Sequence, residues 1–138
     1  MKRKTFVSNF EHIVILLGIL VFVLECIKNW NFFFVPNIDI YQYLCDARAY
    51  YSGHFPFYVQ PQPLYSLLIY PVSILFSSFN FPEIKAGIAI NIFANTATLY
   101  ITWQLAKRYL SVPWRLLLFL LLITHPLFYY TAVTTTPE

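Results

Sequence analysis

The sequence predicts an all-α integral membrane protein, with about three transmembrane helices and two shorter juxtamembrane helices on the outer face. Three observations predict it. Of 138 residues, 59% are hydrophobic and only 11% are charged, and the mean hydropathy is +0.60. A soluble domain carries nearer ~25% charged residues, so this chain has too few charges to coat a water-facing surface. Apolar blocks close to the ~20 residues that cross a hydrocarbon core recur along it. The nine Lys and Arg residues stand at the edges of those blocks, not along one stripe, and the net charge is only +3. That pattern excludes a nucleic-acid module and makes membrane lipids the expected surroundings. A soluble enzyme and a disordered tail are excluded by the same composition. Three Gly and nine Pro exclude a collagen-like chain, and no internal repeat is present.

The first span runs from about Phe10 to Ile27. Met1-Lys2-Arg3-Lys4 precedes the apolar run Ile13–Leu24, an arrangement that a signal peptide shares. No small-residue cleavage site follows; Glu25-Cys26-Ile27-Lys28 does, so the segment reads as an uncleaved span with a cytoplasmic N-terminus. Cys26 and Cys45 have neither CxxC spacing nor a His cluster, and read as small apolar side chains. Their spacing leaves a disulfide across the first loop open without requiring it.

Residues 29–83 form the outer loop, where function is expected to concentrate. Pro36-Asn37-Ile38 is extended. A helix follows from Asp39 to Ser52, with Ile40, Tyr43, Leu44, Ala47 and Tyr51 on one face, and Gly53 stands where a left-handed residue closes a helix. Its length and tyrosine-rich face suit a helix lying in the headgroup plane. Asp39-x-x-Gln42 is a capping-box pattern. A carboxylate at the outer edge, where a lipid-linked phosphate lies, is the sharper reading, and the two roles are compatible. Asp46 reads as a partner of Arg48 or as a solvated acid. Beyond Gly53, Pro56, Pro61 and Pro63 impose an extended passage rich in interfacial aromatics. His54 reads as an exposed interfacial histidine able to titrate or to contact phosphate.

The block Leu64–Phe79 is short, holds Pro71 at its middle and carries Ser66, Ser73, Ser77 and Ser78. The distribution of cations decides whether it crosses. With four spans, the inner side holds Lys2, Arg3, Lys4 and Lys85, and the outer side holds Lys28, Arg48, Lys107, Arg108 and Arg115. With this block lying flat, the inner side holds Lys2, Arg3, Lys4, Lys107, Arg108 and Arg115, against Lys28, Arg48 and Lys85 outside. The second arrangement has the normal bias. Three spans are therefore expected, at about 10–27, 84–106 and 114–133, with four transmembrane helices as the alternative. His125, before Pro126 in the last span, is expected to hydrogen-bond within the bundle. Glu25, near a span end, and His125 are the ionisable residues read within the spans, which gives a half-transporter or flippase subunit little support.

Several motifs follow in a familiar order. Asp39-Ile-Tyr-Gln-Tyr43 precedes Ala47-Arg-Ala-Tyr-Tyr-Ser-Gly53; then come Gln62-Pro63-Leu64-Tyr65, Lys107-Arg108-Tyr109-Leu110 and Thr134-Thr135-Thr136-Pro137-Glu138. The series resembles the GT-C membrane glycosyltransferases, such as the dolichyl-phosphate-mannose protein mannosyltransferases and the bacterial aminoarabinose transferases. There an acidic residue after the first span is followed by a small-residue helix, a Pro-Pro-Leu-Tyr motif, a basic cytoplasmic turn and a second outer acidic motif. The resemblance implies transfer of a sugar from a polyprenyl-phosphate donor at the outer face, with inversion at the anomeric carbon. Asp39 would be the catalytic base and Glu138 the second acidic residue, which in some members serves the active site or a divalent metal ion. Tyr43, Arg48, His54, Gln62 and Tyr65 are the substrate-binding candidates. The chain departs from the family where Ile40 follows Asp39 instead of a second acid, where Gln62 replaces the first proline, and where Pro61 replaces a phosphate-binding lysine.

Catalytic modules of that family carry more spans than three. The chain is therefore expected to be the N-terminal part of such a module, inactive without the rest, in a plasma, inner or endoplasmic-reticulum membrane. A small non-catalytic membrane interaction or assembly protein is the competing expectation.

Overall fold

The computed structural model describes residues 2–29, 38–54 and 63–133, and among them there is no strand. Six helices follow in order: α1 (Lys2–Asn29), α2 (Ile38–Tyr51), α3 (Pro63–Leu75), α4 (Pro82–Tyr109), α5 (Val112–Ile123) and α6 (Pro126–Val133). Two are long and apolar enough to cross a membrane, α1 over Phe10–Lys28 and α4 over its whole length. The bent pair α5–α6 makes a third, broken by 53°. The fold is thus that of an all-α membrane protein with two to three spans. The four-span alternative fails on length, because α3 has 13 residues and covers only about 20 Å. Residues 76–79, expected to continue that helix, are in turns instead.

The break in the last span has a local cause. Pro126 lacks the N–H that would continue α5, and the chain restarts as a new helix. The imidazole Nδ1 of His125 accepts from the Leu127 N–H at 3.2 Å, so His125 caps α6. The hydrogen bond expected within the bundle is local instead: His125 is exposed, and its ring accepts from the backbone two residues on.

Packing is set by the two long helices and the bent pair α5–α6. Ile15, Phe22 and Cys26 of α1, Ile88, Ile92, Leu99 and Trp103 of α4, and Phe119 of α5 form one core with Ala132 and Val133. Glu11 bonds both Trp103 and Arg115, while Tyr129 donates to the Glu25 carbonyl at 3.2 Å. The beginning of α1 therefore lies beside the end of α4 and the beginning of α5, so α5–α6 runs with α1 and against α4. This puts Lys107 and Arg115 at the end where α1 begins, and Arg48 with Glu83 at the opposite end of α4. The basic-residue count had sorted them the same way. Cys26 is buried and Cys45 exposed, and both are free thiols, so no disulfide closes the first loop.

Gly18 permits the close approach of α1 and α5. A Cβ built there would lie 2.6 Å from Phe119 Cε1. Small residues at such points let membrane helices meet without a hydrophobic drive. Gly18→Val is expected to destabilise the bundle by about 1–3 kcal/mol through overpacking. Thermal unfolding in detergent checks this, and Phe119→Ala in the same background should return part of the loss.

α2 and α3 form a second layer over the first half of α4, through Tyr43, Ala47, Tyr65, Ile69 and Ala86. Gly53 takes φ 76°. The His54 N–H bonds the Ala49 carbonyl at 3.0 Å and the Gly53 N–H bonds that of Tyr50 at 3.4 Å, which closes α2 as a Schellman motif. Pro71 inside α3 cannot donate to the Leu67 carbonyl four residues back. The Tyr51 hydroxyl of α2 donates to that carbonyl at 2.9 Å, and its ring stacks on Tyr70 with centroids 4.3 Å apart. α2 thereby repairs the defect that proline makes in α3. Tyr51→Phe should lower the unfolding free energy by roughly 0.5–1.5 kcal/mol while keeping the stack. An unchanged melting temperature would refute that repair.

Candidate functional site

The α2–α3 layer carries the residues that the sequence singled out, and its geometry follows from two helix faces. On α2 the buried residues Tyr43, Asp46 and Ala47 fall within one turn or so; on α3 they are Tyr65, Ser66, Ile69 and Ser73. Tyr43 meets Tyr65 edge to face, with ring centroids 5.4 Å apart. Two of the substrate-binding candidates are therefore brought together. Burial pushes the Tyr65 phenol well above its ordinary value, partly offset by a hydrogen bond with Asn91 of α4. Burial thus favours the neutral phenol of Tyr65.

Arg48 and His54 lie at the rim of the layer. Arg48 donates to Glu83 Oε1 at 2.7 Å, with its own side chain 67% exposed. That hydrogen bond, with the charge behind it, holds the guanidinium even more firmly protonated than usual. His54 is exposed and donates from Nδ1 to the Ser52 carbonyl at 3.0 Å. Asp39 is described in its backbone alone, within the first turn of α2. The helix begins at Ile38, one residue before the expected cap, so Asp39 stands just inside the helix. Gln62 and Glu138 lie outside the described residues.

One expectation is overturned. Asp46 is neither solvated nor paired with Arg48: it is 4% exposed, and Arg48 reaches across to Glu83. The local spacing of two residues suggested an ion pair, but successive side chains two apart diverge on a helix. Tertiary packing turned the Asp46 side inward and left Tyr51, assigned to the apolar face, 47% exposed.

At the other end of α4 lies a polar group that sequence reasoning missed. Glu11 of α1 is 2% exposed. Its Oε2 accepts from Arg115 of α5 at 2.7 Å, and its Oε1 accepts from Trp103 Nε1 of α4 at 3.0 Å. Lys107 Nζ lies 3.9 Å above the Trp103 ring and donates to His12 Nε2 at 3.2 Å. The edge of His12 in turn meets Trp103 at 4.8 Å. One carboxylate thus joins three helices, with cation–π contact beside it. The available signal was an acid inside an apolar block, which calls for a buried cation elsewhere in the chain.

Among the described residues, no group of three His, Cys, Asp or Glu side chains is placed to hold a metal ion. No family model, no curated protein and no solved structure matches this chain.

Proposed function

We propose that the chain belongs to a membrane glycosyltransferase that moves a sugar from a polyprenyl-phosphate carrier to an acceptor. The observation that carries this reading is the α2–α3 layer, two short helices laid over one end of α4, with Tyr43 against Tyr65. Its place between a first span and the following one matches the order of features in the GT-C enzymes. Asp39, in the first turn of the first short helix, serves as base. It takes the proton of an acceptor hydroxyl or amide as that group attacks the anomeric carbon, and the polyprenyl phosphate departs with the bonding pair. Arg48 retains N–H donors while paired with Glu83 and is open enough to meet a phosphate.

The test supplies radiolabelled polyprenyl-phosphate sugars to membranes from cells expressing the protein from its own gene, with and without Asp39→Asn. Transfer is expected to vanish at an unchanged membrane level of the chain. Persistent transfer would remove Asp39 as base, and its absence from the unaltered membranes with every donor in the panel would leave the assembly-protein reading.

A further inference from the structure

Fixed charge is shared unevenly between the two ends of the bundle. The end where α1 begins carries Lys107, Arg108 and Arg115, with Lys2, Arg3 and Lys4 in the first turn of α1. Among the described residues the acid at that end is Glu11, and Arg115 already holds it at 2.7 Å. At the opposite end cations and acids are matched: Lys28 stands 3.6 Å from Glu25, and Arg48 2.7 Å from Glu83.

The surplus is exposed at the corner between α4 and α5. α4 ends at Tyr109 and α5 begins at Val112, so two residues turn the chain. Arg108, in the last turn of α4, is exposed, and no acidic side chain pairs with it among the described residues. Lys107 is kept at the same end by Trp103, whose ring centroid lies 3.9 Å from Nζ, and by His12 at 3.2 Å. Tyr109 is 81% exposed and Trp114 62% exposed, one on each side of the turn. Exposed Tyr and Trp at a span end sit at headgroup level, which sets the neighbouring Arg108 at the same depth. There a guanidinium meets phosphate oxygens with paired N–H donors.

We propose that the α4–α5 corner binds the phosphate of an anionic phospholipid, with Arg108 as the contacting residue. Charge complementarity selects that occupant: the cation excess lies beside an apolar surface that only the membrane covers at this depth, and each Lys or Arg near an anionic leaflet strengthens attraction about fivefold. The chain thus gathers anionic lipid in the leaflet that faces the start of α1. The corner lies at the end of α4 away from the α2–α3 layer, so the assignment stands apart from the sugar-transfer reading.

The test reconstitutes the purified chain in phosphatidylcholine vesicles that contain dibrominated phosphatidylglycerol or dibrominated phosphatidylcholine at equal mole fraction. Tryptophan quenching is the readout, since Trp114 stands at the corner itself. The anionic lipid is expected to quench as though enriched on the order of tenfold around the chain, and roughly half-molar sodium chloride should weaken that enrichment. Arg108→Gln should cut it about fivefold, while Lys28→Gln at the opposite end should leave it unchanged. Equal quenching by the two lipids would overturn the proposal, as would an enrichment that survives Arg108→Gln or that Lys28→Gln lowers as much. Release of the lipid by inorganic phosphate at constant ionic strength would assign the corner to a soluble phosphate and overturn the lipid as its occupant.

Discussion

Arg115→Leu is expected to destabilise the bundle by about 3–5 kcal/mol, because it leaves the Glu11 carboxylate buried without its cation. The pair is 2.7 Å apart, with side chains 13% and 3% exposed, so solvent screens it little. Trp103 Nε1 would remain at 3.0 Å, but a neutral donor does not replace the charge. Glu11→Leu should cost a similar amount, since Arg115, whose Nε already lacks a partner, would then be stranded. The double variant Glu11→Leu/Arg115→Leu should recover most of the loss, because two apolar side chains of suitable size replace a buried pair at little net cost. A double-mutant cycle by chemical or thermal unfolding in detergent measures the coupling. Additive single losses, with no recovery in the double variant, would show that the two side chains act separately.

That network marks the boundary of what the chain makes legible. The spans could be read because each is a local property: an apolar run of sufficient length, bounded by cations whose side follows one simple bias. That α3 is too short to cross could be read from Pro71 and the charge count together. Glu11 could not, because its partner is 104 residues away and nothing in the first apolar block points to Arg115. Asp46 was misread for the opposite reason. Its neighbour Arg48 offered a local explanation, and the true partner of Arg48, Glu83, stands 35 residues on in another helix. Pattern reasoning also placed Tyr51 on the packed face of α2, where it does touch α3, but by its hydroxyl and one ring face while half of it stays open. Of the candidate site, Tyr43 and Tyr65 were each legible, in two motifs on successive short helices. Their contact depends on how those helices pair, which no spacing within either motif encodes.

Asp39→Asn separates the two roles that the sequence allows at that position. α2 begins at Ile38, so Asp39 stands inside its first turn and not at the cap, and an isosteric asparagine leaves the helix start almost intact. The only structural loss is the favourable placement of a negative charge in the first helical turn, about 0.3–1 kcal/mol. A base, by contrast, is lost outright, because an amide cannot take the acceptor's proton. Removal of a positioned proton acceptor lowers turnover by about 10²–10⁴-fold. On the proposed sugar transfer, the expected result is therefore a protein that melts within about 4 °C of the parent, on the scale of roughly 2–4 °C per kcal/mol, and transfers sugar at least a hundredfold more slowly. If Asp39→Asn transfers sugar at the parental rate, the carboxylate is structural, and the proton must pass to another group on the outer face.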